Sequence, residues 1–184
     1  MLKIKKMSSS DEEFSENLKK SLSQRKLNTS DIKEKVKNII SEVKLNGDQA
    51  LVKFSSEYDN YKVNKAEELE ISKEKISQAI KKITREELEA LKFAKKRIEE
   101  FAAFQKSKSW DYISDGIKLG EKITPVNKVG IYVPGGSAVY PSSVLMNSVP
   151  AKVAGVSEII MVVPSPKGEV SNLVLAAAFL GGVD

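Results

Sequence analysis

Up to about residue 108 the apolar residues recur every three or four positions. Beyond it they alternate, or run unbroken for a few residues between glycines and prolines. The first regime predicts helices. Phe14, Leu18 and Leu22 fall on one stripe of an amphipathic arm, and Ile32, Val36, Ile39, Ile40 and Val43 share a face of the next helix. Asn46-Gly47 supplies a left-handed stop, and Asp48 caps a second short helix carrying Leu51, Phe54 and Tyr58. Residues 68–71 are expected to be a short strand or an extended link. Ser72 then opens a helix with Ile76, Ala79, Ile80 and Ile83 inward. Thr84-Arg85-Glu86-Glu87 forms a capping box at the head of a long helix that reaches about Lys106. Leu88, Leu91, Ala94, Ile98, Phe101 and Ala102 are its expected inner face. Phe93, Phe101 and Phe104 are read as helical core packing rather than as an aromatic cofactor box.

The second regime reads as strands alternating with helices. Residues 116–126 alternate Ile117, Leu119 and Ile123 with polar positions, as a half-exposed strand or hairpin would. The stretch that organises the rest is residues 128–143, KVGIYVPGGSAVYPSS. Val129, Ile131 and Val133 alternate with Gly130 and Tyr132, a period of two in a strand whose two faces both look buried. Pro134 ends that strand, and Gly135 with Gly136 leaves room for another molecule close to the backbone. Pro141, with Ser142 and Ser143 as caps, predicts a helix to residue 153 or 154, stopped by Gly155 and kinked or split by Pro150. EIIMVV at 158–163 is a second strand, and residues 170–180 a strongly apolar helix closed by Gly181-Gly182. Continuous apolar strands joined through helices argue a parallel sheet. The fold class is therefore α/β: a mainly helical region over residues 1–108, then a parallel β-α-β-α unit over residues 109–184. A third strand is expected where the chain reaches Val183-Asp184, so the chain reads as a fragment.

Composition narrows the chemistry more than the fold. The 184 residues contain neither cysteine nor histidine. That excludes a disulfide framework, a thiolate nucleophile, the commonest general base and the usual zinc ligands. The net charge of +5 raises nucleic-acid binding as a question. The lysines, however, are interspersed with glutamates along helix faces, as in KEKVKN and KKRIEE, and no basic cluster is interleaved with aromatics. No nucleic-acid partner is expected. No apolar run approaches the ~20 residues of a membrane span, and the start lacks the apolar core of a secretory signal. A cytoplasmic protein is expected.

On residue chemistry alone the glycine stretch supports two readings. Its spacing is neither G-x-G-x-x-G nor G-x-x-x-x-G-K-[ST], so the glycines could serve only to turn a wide βα loop. Against that, ligands of open α/β sheets bind outside the carboxyl ends of strands, where this loop sits. Tyr132 could lay its ring on a base or ribose there, or be a core tyrosine with a satisfied hydroxyl. Ser137, Tyr140, Ser142 and Ser143 offer hydroxyls, but without histidine none has the usual base to become a nucleophile. No catalytic residue and no metal ligand is assigned.

The run VGIYVPGGSAVYPSSVLMNSVPAKVAGVSEIIMVVPSP closely resembles the glycine-turn region of the histidinol dehydrogenase family. Upstream, VKNIISEVKLNGDQALVKFSSEYD and the helix ending RIEEFAAFQ are similar to the same family, so the resemblance covers about residues 28–184. It implies a zinc- and NAD-dependent homodimeric oxidoreductase that converts L-histidinol to L-histidine through the aldehyde, by two hydride transfers. It implies that residues 109–184 are the first part of an incomplete Rossmann-like NAD-binding domain. It also implies that Tyr132, matching the tyrosine of the family's G-[IL]-Y-[IV]-P-G-G motif, contacts NAD. The family's Glu-His acid-base pair and its Gln, His, Asp and His zinc ligands match nothing in this chain, so this piece alone is expected to be inactive. The alternative is a non-catalytic nucleotide- or partner-binding module.

Overall fold

The computed structural model describes residues 6–24, 29–135 and 139–184. The chain divides into two compact units, Met1–Leu51 and Val52–Asp184. The first holds helices α1 (Phe14–Gln24) and α2 (Thr29–Asn46) and the first turn of α3 (Asp48–Tyr58). Gly47, at φ +54°, makes the corner between α2 and α3 as the Asn-Gly pair predicts. On α2, Ile39 and Val43 are half-buried while Ile32, Val36 and Ile40 are exposed.

In the second unit a 3₁₀ turn at Ala66–Leu69 takes the first half of the strand or link expected over residues 68–71, and Glu70 beyond it is extended. Helix α4 (Lys73–Gln78) starts where Ser72 Oγ accepts the Lys75 N–H at 3.3 Å, and it tightens into a 3₁₀ turn at Ala79–Lys82. Helix α5 (Arg85–Gln105) opens on the predicted capping box. Thr84 Oγ1 accepts the Glu87 N–H at 3.1 Å, and Glu87 Oε2 accepts the Thr84 N–H at 2.8 Å. Thr84→Ala should therefore lower the unit's unfolding free energy by about 1 kcal/mol, read from urea midpoints at constant slope.

Strands β1 (Trp110–Ser114) and β2 (Ile117–Glu121) form an antiparallel hairpin. Asp115 and Gly116 both have positive φ, 51° and 79°, the backbone of a two-residue type I′ turn. Strand β3 (Lys128–Tyr132), helix α6 (Pro141–Ala154), strand β4 (Glu158–Val162) and helix α7 (Asn172–Gly181) follow in the predicted order. β3 and β4 pair in parallel, Lys128 opposite Glu158 through Tyr132 opposite Val162. Gly155 at φ +100° and Gly182 at φ +73° stop α6 and α7.

Three expectations are corrected. The sheet is buried on one face only: Ile131, Val133 and Ile159 are buried, while Tyr132, Ile160 and Val162 on the other face are exposed. The helices pack on the first face, and no described residue covers the second. Next, Phe93, Phe101 and Phe104 are exposed, Phe104 to 93%. The stripe of α5 that faces the core carries Leu91 and Ala102, with Ala94 and Ile98 half-buried, which turns the phenylalanines outward. Finally, Pro150 does not split α6, and the N-cap of that helix is Tyr140 rather than a serine. The Met146 carbonyl, which Pro150 deprives of a donor, lies on an exposed residue where water can serve it.

The main core gathers Ile76 and Ala79, Leu91 of α5, Val144, Leu145 and Val149 of α6, and residues 174–178 of α7 against Val133. Its effect on function is positional: α6 and α7 hold the inner face of β3 and β4, so the outer face, with Tyr132, Ile160 and Val162, points away from the core.

Candidate functional site

The site begins with the pleat of β3. Because side chains alternate, burying Ile131 and Val133 forces Gly130 and Tyr132 to the opposite face. Tyr132 ends the strand opposite Val162 and is 65% exposed. Gly130, two residues before it on the same face, would carry a Cβ with nothing within 4 Å. The tyrosine ring thus stands beside an open shelf, not in the interior.

After Tyr132 the ladder continues for one bond, Val133 N–H to Val162 C=O at 3.0 Å. Pro134 and Gly135 then leave the strand. A Cβ at Gly135 would lie 3.3 Å from three carbons of the Pro164 ring, so the backbone passes the loop after β4 at a distance that suits glycine. That second loop is itself held. The Lys167 N–H donates to the Asp59 carbonyl at 2.8 Å, and the Tyr61 ring packs where a Gly168 side chain would be. Two βα loops therefore meet at the carboxyl ends of adjacent parallel strands, with Tyr132 on their outer side. Exposed Tyr140 and Ser142 and half-buried Ser143 lie just beyond, at the mouth of α6. Gly136 and Ser137 lie outside the described residues.

At the other end of β4 a carboxylate that sequence reasoning missed gathers a polar cluster. Asp184 Oδ2 accepts the Ile159 N–H at 2.9 Å and Lys152 Nζ at 3.0 Å, and Lys73 Nζ stands 3.8 Å from Oδ1. The Ile159 amide first, and Lys152 second, hold this carboxyl below the usual aspartate range. A depressed folded value stabilises the fold above the unfolded pKa of about 4. That contribution is lost as pH falls through 4 toward the lower folded value. Acid melts of Asp184→Asn should show a smaller drop in Tm below about pH 5 than the parent. A groove of about 530 Å³ runs beside this cluster, lined among others by Lys73, Phe179 and Asp184. It lies at the amino end of β4, away from Tyr132, and its two lysines are already paired with Asp184.

A dinucleotide fits the carboxyl-end site in kind: a close-passing glycine backbone and an exposed aromatic ring on a strand end. Zinc does not fit this chain. It has no histidine or cysteine, and among the described residues no three acidic groups converge.

The profile of the family described as histidinol dehydrogenase matches residues 22–184. This chain belongs to the histidinol dehydrogenase family. Histidinol dehydrogenase of Methylococcus capsulatus is 46% identical over 184 residues, all of this chain and 42% of that protein. That of Nitrosomonas europaea is 44% identical over 185 residues, again all of this chain and 43% of its own length. The crystal structure of histidinol dehydrogenase from Elizabethkingia anophelis superposes with a TM-score of 0.76 at 28% identity, covering 85% of this chain and 36% of that one. The chain thus corresponds to the amino-terminal part of a histidinol dehydrogenase and spans about two fifths of the length of these relatives.

Proposed function

We propose that the chain supplies the first portion of an NAD-dependent histidinol dehydrogenase, in which β3 delivers Tyr132 to the cofactor. In the completed enzyme L-histidinol would be oxidised to L-histidine through the aldehyde, with bound NAD supplying the hydride acceptor for each of the two oxidations. The observation that carries this reading is the exposed ring of Tyr132 at the carboxyl end of β3, beside the close approach of Gly135 to Pro164. Ligands of parallel sheets collect at that end. Residues 109–184 are, on this reading, the opening part of an incomplete Rossmann-like domain.

The chemistry of this chain assigns its residues a binding role. Tyr132 offers a flat apolar face and a hydroxyl at its tip, suited to the base or ribose of a dinucleotide. The glycine turn lets backbone amides approach a phosphate without side-chain obstruction. The general acid-base groups and the zinc ligands belong to the remainder of the polypeptide. So does completion of the homodimer, and the assembled enzyme works in the cytoplasm.

The test joins this chain to the portion of the Methylococcus capsulatus enzyme beyond the matched region and follows NADH from L-histidinol. The joined protein should turn over with added zinc, and this chain by itself should give no NADH above background. Steady NADH production by the chain alone, or none by a folded joined protein, would contradict the assignment.

A further inference from the structure

Two segments far apart in sequence are locked together beyond the carboxyl end of β4. Among the described residues other than glycine, three have positive φ: Asn60 at 52°, Asp115 at 51° and Lys167 at 57°. Asp115 belongs to the hairpin turn, where that backbone is expected. The other two flank a single contact. The Lys167 N–H donates to the carbonyl of Asp59, the residue before Asn60, at 2.8 Å. Left-handed backbone at residues other than glycine persists only where the surroundings hold it, and it gathers at ligand clamps. Both sides of this contact are held. The carbonyl of Ser55, a buried residue of α3, accepts the N–H groups of Asp59 and Tyr61 at 3.1 and 3.2 Å. On the other side the Gly168 N–H donates to the Ser165 carbonyl at 2.8 Å, closing the loop after β4 into one tight turn. Tyr61 fills the angle between the two segments. A Cβ at Gly168 would fall 2.6 Å from Cε2 of the half-buried Tyr61 ring, so the ring bears on bare backbone. Earlier in the same loop, the Pro164 ring stands 3.3 Å from where a Gly135 Cβ would be. The loop 164–168 is thus seated between the Tyr61 ring and the glycine turn that follows Tyr132.

We propose that Tyr61 is a positioning residue for the nucleotide. Its ring holds loop 164–168 against Gly135 and so fixes the path of the glycine turn where the cofactor passes. The inference rests on reading this strand end as the NAD site. Tyr61 acts through Gly168 and Pro164, not by touching the nucleotide. Removing the ring opens a space beside Gly168 into which the loop relaxes, and Gly135 loses the wall that limits its path. The acid-base groups lie in the remainder of the polypeptide, so the loss falls on cofactor binding and not on turnover.

The experiment uses the joined protein, this chain continued by the remaining portion of the Methylococcus capsulatus enzyme. Tyr61→Ala should weaken NAD about fivefold by calorimetry and raise its KM equally, with kcat within about twofold of the parent. Tyr61→Phe keeps the ring and should match the parent in both. Hydrogen exchange of the Lys167 amide should quicken about tenfold in Tyr61→Ala, because the ring no longer backs its bond to Asp59, and stay parent-like in Tyr61→Phe. Thr84→Ala, which weakens the fold at the capping box, should leave NAD affinity unchanged and so separates position from stability. If Tyr61→Ala does not fold, Tyr61→Leu, which fills part of the space without a flat ring, carries the same expectation. Parent-like NAD affinity of the Tyr61 variant beside a weakened Tyr132→Ala would overturn this inference and leave the cofactor site standing. An equal loss of affinity in Thr84→Ala or in Tyr61→Phe, or a loss confined to kcat, would overturn it as well. Parent-like affinity in both Tyr61→Ala and Tyr132→Ala would defeat the reading of the strand end as the NAD site.

Discussion

Leu145→Ala should lower the unfolding free energy of the unit Val52–Asp184 by roughly 3 kcal/mol. Leu145 is fully buried, on the face of α6 that meets α5, α7 and the inner side of the sheet, and it belongs to the main cluster with Val133, Val149 and Leu175. Truncation removes its transfer energy and leaves a void between helices that the strands prevent from closing. Phe104→Ala is the matched control: a larger side chain, 93% exposed, whose loss should change stability by no more than about 0.5 kcal/mol. Urea unfolding of the two variants reads the difference directly. If Phe104 proved the costlier deletion, the core would lie on the other side of α5.

Gly181→Ala should cost roughly 2 kcal/mol, although alanine is the better helix former. Gly181 is buried in the last turn of α7, and a Cβ there would fall on Ser148 Oγ and 3.1 Å from Ser148 Cβ. Ser148 cannot simply swing aside. It is fully buried, and its hydroxyl donates to the Val144 carbonyl at 2.8 Å within α6. The two helices must part, or the hydroxyl must surrender its bond. Ser148→Ala removes the nearest obstructing atom, so the double variant should recover much of the loss, with a coupling of at least about 0.5 kcal/mol in a thermodynamic cycle. Independent, additive effects would mean that α6 and α7 do not cross at this point.

The features that were legible in the sequence are those whose causes are local. The capping box at Thr84, the Asn46-Gly47 corner, the alternation of β3 and the Gly181-Gly182 stop each rest on residues within a few positions of one another. The Asp115-Gly116 turn was equally local, and the dipeptide between alternating apolar runs would have located it. The misread phenylalanines show where local pattern stops. Helix α5 carries apolar residues on two stripes, one through Leu91 and Ala102 and one through Phe93 and Phe101, and periodicity cannot say which stripe meets a partner. The Asp184 cluster was invisible for a related reason: its partners Ile159 and Lys152 are 25 and 32 positions away.

Tyr132 falls between these cases. The alternation of β3 places it opposite Ile131, but only the packing of α6 and α7 decides that its face is the open one. The proposal that it meets a cofactor rests on the resemblance of the VGIYVPGGSAVYPSS run to the family, since neither the glycine spacing nor the strand end names a ligand. The exposure of the ring at the strand end is what that proposal needs from the fold.

The most direct test is the NAD affinity of the joined, full-length protein carrying Tyr132→Ala, measured by calorimetry beside Tyr112→Ala, a second exposed tyrosine on the β1–β2 hairpin. Loss of the Tyr132 ring should weaken NAD about tenfold, equivalent to about 1.4 kcal/mol of aromatic contact, and loss of Tyr112 should leave the affinity unchanged. Equal affinities for the parent and Tyr132→Ala would contradict the claim that β3 carries its terminal tyrosine to the cofactor.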